Sequence, residues 1–277
     1  MTTLDAAALP SSATSAGAML RSWRRLRRYS QLALALRADV SARHLSYVET
    51  GRAKPSREML LRLAETLEMP HRERNALLIA GGFAPEYGET RLGDPLLREV
   101  REAVDLLLTS LEPCPALAVD RRWTLVAHNR AAGALLAGLA PEVAEAPLNV
   151  LRASLHPRGL APRIVNLAQW RAHVLERLRR DVELSGDPVL AELLEELRGY
   201  PAPEDKRRSN DGVSDGKGRM PVLVPLRLRT DAGVLSFVST TTVFGTAVDV
   251  TVAELAVESF LPADAATAVA LRRMSAG

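Results

Sequence analysis

The sequence predicts two domains of different class: an all-α domain of five helices, then an α/β domain built on an antiparallel sheet of about five strands. Three observations lead there. Up to residue 82, apolar residues recur at helical spacing in five short segments, most of them bracketed by Ser, Pro or Gly. Residues 83–95, FAPEYGETRLGDP, combine Gly, Pro and charge without apolar periodicity, which marks a boundary. Beyond it, two short β-type runs come early and three late, with helical segments between them. A chain of 277 residues suits more than one domain. The division is 1–17 a disordered tail, 18–82 the helical domain, 83–95 a linker and 96–277 the second domain.

In order, Met19–Arg28 forms the first helix, with Leu20, Trp23 and Leu26 inward and arginines outside. Ser30 and Gln31 open a second, carrying Leu32, Ala35 and Leu36 on one face. Ala38–Asp39–Val40 turns the chain, and Ser41 caps a third helix, Ala42–Thr50. At ~100° per residue, Ser41, Leu45, Val48 and Glu49 share one side of it. Arg43 and Tyr47 point the opposite way, flanked by His44 and Ser46. Gly51 then stands where a helix stops in a left-handed conformation. Arg52 and Lys54 follow in a loop. Ser56 and Glu58 start a fourth helix reaching Glu68, with Met59, Leu60, Leu63 and Leu67 as core. A fifth, Pro70–Ala80, has Pro at its start and Gly81–Gly82 at its end.

The second domain opens with a helix, Leu96–Leu111, whose Leu97, Val100, Val104, Leu107 and Leu108 make a face. Pro115–Val119 and Thr124–His128 read as a hairpin, and Asn129 caps a helix through Leu136. Ala161–Leu184 and Pro188–Arg198 are helices, and Ala202–Met220 is a polar loop. Val222–Thr230, Gly233–Phe244 and Val250–Leu261 carry β-type content, and Ala263–Arg273 closes the chain as a helix.

Charge is unevenly spread. From Ala18 to Ala80 thirteen basic residues face six acidic ones, a net +7, so with +3 overall the rest carries −4. A basic segment on a mildly acidic chain is the footprint of polyanion binding, against the plainer reading of a solvated basic surface. The single cysteine, Cys114, excludes an internal disulfide and a cysteine-rich zinc site, and its place between prolines suits a buried filler. No apolar run approaches the ~20 residues that span a bilayer, and the N-terminus lacks the pattern of a signal peptide. A cytoplasmic protein is expected.

The stretch SQLALALRADVSARHLSYVETGRAKPS resembles the helix-turn-helix of the XRE family, relatives of lambda-type repressors. The Ser-Gln start, the Val-Ser before the third helix, the Glu-x-Gly-Arg end and the following Pro-Ser carry the likeness. Two positions depart from it: Asp39 and Arg28 stand where the family often has glycine. The resemblance implies that an arginine of the first helix, here Arg24, pairs with the glutamate ending the recognition helix, here Glu49. The alternative is two independent surface charges. It further implies a homodimer on a double-stranded, two-fold symmetric DNA operator. Arg43, with Ala42, His44, Ser46 and Tyr47, would read base edges; Ser30, Gln31, Ser41, Arg52 and Lys54 would hold phosphates.

PALAVDRRWTLVAHNRAAGALL, NVLRASLHP and DPVLAELLEELRGYP resemble the MmyB-like ligand-binding domain, a PAS-like α/β fold often found behind such a motif in bacteria. Because a related domain holds a fatty acid, the resemblance implies a small lipophilic ligand. A largely apolar cavity is expected between the sheet and helix Ala161–Val182. Trp123, Trp170, Val174 and Phe237 would line it, with Arg163, Asn166 or His173 at a polar headgroup. Ligand sensing, dimerisation and partner docking all remain open as roles for this domain.

Catalytic sets are missing from the sequence. The five histidines lack zinc-site spacing, and there is no phosphate loop or nucleophile elbow. A self-cleaving repressor would need a Ser/Lys pair, yet the late lysines, Lys206 and Lys217, fall in the polar loop. A binding protein without metal or cofactor is expected.

Overall fold

The computed structural model describes residues 15–90, 93–201, 223–244 and 249–276. Contacts divide the chain into two units, with the boundary between Glu89 and Thr90. The expected tail up to residue 14, the polar loop 202–220 and the start of the strand at Val222 lie outside the described residues.

The first unit holds α1 (Ala16–Leu26), α2 (Gln31–Arg37), α3 (Ala42–Glu49), α4 (Arg57–Thr66) and α5 (His71–Ala80). Four serines start the first four. Ser15, Ser30, Ser41 and Ser56 accept from the backbone N–H of Ala18, Ala33, His44 and Met59, at 3.0–3.4 Å. Each such cap stabilises by ~1 kcal/mol. Leu20, Trp23, Leu34, Leu45, Val48, Leu60, Leu63, Leu77 and Leu78 pack one core.

Four expectations are corrected. Helix α1 begins at Ala16, not Met19, because Ser15 supplies its cap. Residues 15–17, assigned to the tail, therefore belong to the fold. Gly17 is required there: a Cβ would meet the Val48 carbonyl oxygen at 2.1 Å, so the glycine lets α1 and α3 approach. The buried face of α2 is Leu34 and Ala35, while Leu32 and Leu36 are 61% and 74% exposed. In the Leu/Ala run of α2 either face is apolar, and packing selects between them. Leu26 likewise ends α1 at the surface.

Residues 83–89, assigned to the linker, pack on α5. The buried Asn75 amide accepts from Glu86 and Tyr87 N–H and donates to the Tyr87 carbonyl. The Tyr87 ring stacks on His71 with centroids 3.9 Å apart.

The second unit begins with a 3-10 turn, Pro95–Leu97, and α6 (Arg98–Ser110). There follow β1 (Ala116–Val119), β2 (Leu125–His128), α7 (Arg130–Leu136), α8 (Pro141–Ala144) and α9 (Val150–Leu155). After a 3-10 turn, Ala161–Arg163, come α10 (Leu167–Ser185), α11 (Pro188–Gly199), β3 (Leu226–Thr230) and β4 (Gly233–Val243). The last elements are α12 (Val250–Ala253), β5 (Ala256–Pro262) and α13 (Ala265–Ala276). The five strands form an antiparallel sheet in the order β2-β1-β5-β4-β3.

Strand β1 is buried on both sides. Its Leu117 and Val119 join Trp170, Val174 and Leu178 of α10 in the main core, and its Ala116 and Ala118 meet Val104 and Leu108 of α6. Asn129 ties these layers together. Its Oδ1 accepts from the N–H of Ala116 and Ala132, and its Nδ2 donates to the carbonyls of Leu108 and Cys114. A buried amide with every partner supplied stabilises one register rather than several.

The helix expected from Ala161 is broken. Ile164 is extended and bridges Leu228, and Val165 N–H donates to Arg227, so α10 proper starts at Leu167. Pairing with the edge of β3 outcompetes the helix there. The β-type run from Val250 is also corrected: Asp249 caps a helical turn with Val250 and Val252 buried, and β5 begins at Ala256. Helices α8 and α9 were not read from the sequence, although Asn149 caps α9. Among the described residues no helix is long and apolar enough to cross a membrane.

Candidate DNA-binding face and ligand cavity

In the first unit the third helix is fixed from below. Glu49, its last residue, is 3% exposed. Arg24 of α1 grips its carboxylate with two bonds, Nε–Oε1 2.6 Å and Nη2–Oε2 2.8 Å. Gln31 Nε2 adds a third at 2.9 Å, and Arg21 donates to the Glu49 carbonyl. Burial pushes the Glu49 carboxyl up, but the bonds from Arg24 and Gln31, with the charges of Arg24 and Arg21, outweigh it and hold it below its ordinary value. Arg24 is correspondingly raised, chiefly by its bond to Glu49. A forked, multiply bonded pair of this kind sets the orientation of α3 on the scaffold.

The opposite side of α3 faces solvent. Arg43 and His44 are exposed, Ser46 and Tyr47 half-buried, and Ala42 packs partly against the core. Arg43 turns back along the helix, its Nε 3.0 Å from the Tyr47 hydroxyl and its guanidinium over the Tyr47 ring. Ser30 and Ser41 spend their side chains as the caps of α2 and α3. Gln31 gives one amide hydrogen to Glu49 and keeps a second. Arg52 and Lys54 are exposed beyond Gly51, whose φ of 73° turns the chain off α3.

In the second unit a cavity of about 90 Å³ lies between the sheet and helices α7, α9 and α10. Trp123, Trp170, His173 and Val174 line it. The other three expected residues sit elsewhere. Arg163 donates to the carbonyls of Leu135 and Arg229, and Asn166 pins the chain to β3 through Pro225 and Arg227. Phe237 is fully buried in the main core and does not line the cavity; it sits edge-on to Phe260, which does.

Sequence reasoning missed the polar wall. Arg177 of α10 forks onto Glu258 of β5, Nη2–Oε1 2.6 Å and Nη1–Oε2 3.0 Å, and also bonds Thr241 at 2.8 Å. Its guanidinium lies 4.4 Å above the Trp123 ring. Trp123 Nε1 donates to Asp181 at 3.1 Å, and burial raises the Asp181 carboxyl despite that bond. Burial, then Arg177 and Arg180, lower the His173 imidazole, so it is neutral near pH 7. Trp170 Nε1 donates to Ser154 at 2.9 Å. Arg177 is legible in hindsight, one turn beyond His173 on the same helix face. Glu258, a lone carboxylate in AVESFLP, gave no such signal.

Trp123 has φ 64° in the β1–β2 connection, held by Asp120, whose carboxylate accepts from Arg122 and Thr124 N–H. A bulky residue in the left-handed region is strained, and it is this backbone that presents the indole to the cavity.

Residues 20–73 match a family described as helix-turn-helix. Among solved structures, the chain is similar to the restriction-modification controller protein C.AhdI from Aeromonas hydrophila, at 29% identity and a TM-score of 0.21, over 22% of this chain and 94% of that one. Comparison with curated proteins gives no match. Residues 100–274 match the family described as MmyB-like transcription regulator ligand binding domain. Through that span, more than half its length, the chain belongs to the MmyB-like transcription regulators, a DNA-binding regulator with an XRE-type helix-turn-helix ahead of a ligand-binding domain.

Proposed function

We propose that this regulator is a sequence-specific, homodimeric DNA-binding protein of the cytoplasm whose operator affinity is modulated by a small lipophilic ligand, fatty-acid-like in having an apolar chain and a polar end. The observation that carries the DNA half is the locked third helix. Its inner side is fixed by Arg24–Glu49, and its outer side presents Arg43, His44, Ser46 and Tyr47. Ala42 stands at the head of the same face. Arg43 suits guanine O6/N7 once it leaves Tyr47. The helix starts at Ser30 and Ser41, the remaining Gln31 hydrogen, Arg52 and Lys54 supply phosphate contacts.

The cavity supports the ligand half. It is apolar except for one end, as ligand sites usually are. Its volume suits a small molecule with a short apolar chain. Native mass spectrometry of the purified chain, with a genome-wide footprint of its binding sites, tests both halves. A co-purified small molecule and a palindromic operator are expected. Uniform binding along DNA would remove the specific reading.

A domain that only dimerises or recruits a partner is the second reading. In the second unit Leu96 and Leu106 are the most exposed large apolar side chains among the described residues, 81% and 72%, and both belong to the segment 95–110 where such an interface would form.

A further inference from the structure

The polar end of the cavity is charge-compensated. Arg177 reaches into the space, but both of its Nη atoms are bonded to Glu258 and one also to Thr241. Glu258 is only 4% exposed, and its Oε1 further accepts from Thr241 at 2.7 Å. The Trp123 ring covers one face of the guanidinium. A ligand carboxylate placed here would be a second anion beside a buried glutamate, and Arg177, the one arginine or lysine among the residues lining the cavity, is already bonded to that glutamate. Taking an anion out of water without a partner is strongly unfavourable. Neutral hydrogen-bonding groups remain on the wall. Ser154 accepts from Trp170 and keeps its own hydrogen to donate. Ser239 contributes a hydroxyl, and a neutral His173 offers one donor and one acceptor.

We infer that the cavity selects small uncharged amphiphiles, a short apolar chain ending in a hydroxyl, amide or ester, over the corresponding free carboxylates. This rests on the ligand-binding reading above and narrows it to a class. Glu258 is thereby a specificity-determining residue: its charge cancels the arginine that would otherwise capture an acid.

The test compares 1-octanol, octanamide and octanoate at pH 7.5, titrated into the full chain. Two of the three tryptophans, Trp123 and Trp170, line the cavity, so their fluorescence reports occupancy, with calorimetry as a check. The neutral pair should bind at least tenfold more tightly than octanoate. Glu258→Gln, which keeps the side chain's shape and a carbonyl acceptor for Arg177, should improve octanoate at least tenfold relative to octanol. The wild-type comparison stands even if that variant folds poorly. Octanoate binding as tightly as octanol to the wild-type protein overturns the inference while leaving a lipophilic ligand in place. No binding by any of the three removes the ligand reading itself.

Discussion

Glu49 and Arg43 stand on opposite sides of one helix and act by different physics. Glu49 is buried, and its bonds come from α1 and α2. Glu49→Ala would leave Arg24, 12% exposed, without its partner, a loss of ~3–5 kcal/mol. Urea melts of a fragment spanning 15–89 measure it, and a loss below ~0.5 kcal/mol would mean the pair contributes no more than a surface bridge. The pair also carries a pH signature. The folded carboxyl titrates below its ordinary 4.5, so its contribution is fully present above that value and is lost as pH falls through the depressed one. Between pH 5 and 2.5 the wild-type fragment should lose stability faster than Glu49→Gln, and parallel curves would count against the linkage. Arg43 is exposed, and its removal should cost specific binding ~1–3 kcal/mol while relaxing one base position. Arg52→Ala should instead weaken all sequences alike and flatten the salt dependence. Competition with random DNA at two salt concentrations separates the two.

At the level of elements, the connections between helices hold the departures from the expected pattern. Arg28 and Asp39, standing where glycine is common, both adopt left-handed backbone, with φ 57° and 50°. The joint between α1 and α2 therefore keeps the geometry while accepting the strain of an arginine, ~1–2 kcal/mol. Arg28→Gly should stabilise the fragment by ~0.5–1 kcal/mol, and Asp39→Gly by less, because aspartate tolerates this region. A loss of stability for Arg28→Gly, read by thermal unfolding, would mean its side chain contributes more than its backbone costs. The same scale shows what the sequence made legible. Caps and stops placed α3, α4, α5 and α7 to within about two residues, because Ser41, Ser56, Gly81 and Asn129 act through neighbours in the chain. The inner face of α2, the break before α10 and the turn at α12 depend on partners far away. Leu34 faces inward because the core is there, and Ile164 is extended because Leu228 pairs with it. The wall of the cavity was hidden for the same reason, since Arg177 and Glu258 lie far apart in the chain and meet only where α10 lies against the sheet.

For the whole molecule, occupancy of a cavity in one unit matters to DNA only if the two binding equilibria are coupled. A ligand that binds the DNA-competent and DNA-incompetent states equally shifts nothing, however tightly it is held. Coupling in such systems is typically ~1–3 kcal/mol, a five- to hundred-fold change in operator affinity. The strained Trp123 backbone and the Arg177–Glu258 bridge are where a ligand would meet the sheet, so their rearrangement is the expected source of the difference. Protein stripped of bound lipid should therefore change its operator dissociation constant by at least fivefold when saturated with its best-binding eight-carbon amphiphile. Operator DNA should in turn shift the affinity for that amphiphile by the same factor and in the same direction, because linkage is reciprocal. Arg177→Met combined with Glu258→Gln, which removes the bridge without stranding a buried charge, should abolish that shift while leaving DNA binding of the ligand-free protein intact. Ligand binding with no change at the operator would leave an occupied cavity without a sensor, and the second unit would then serve association alone.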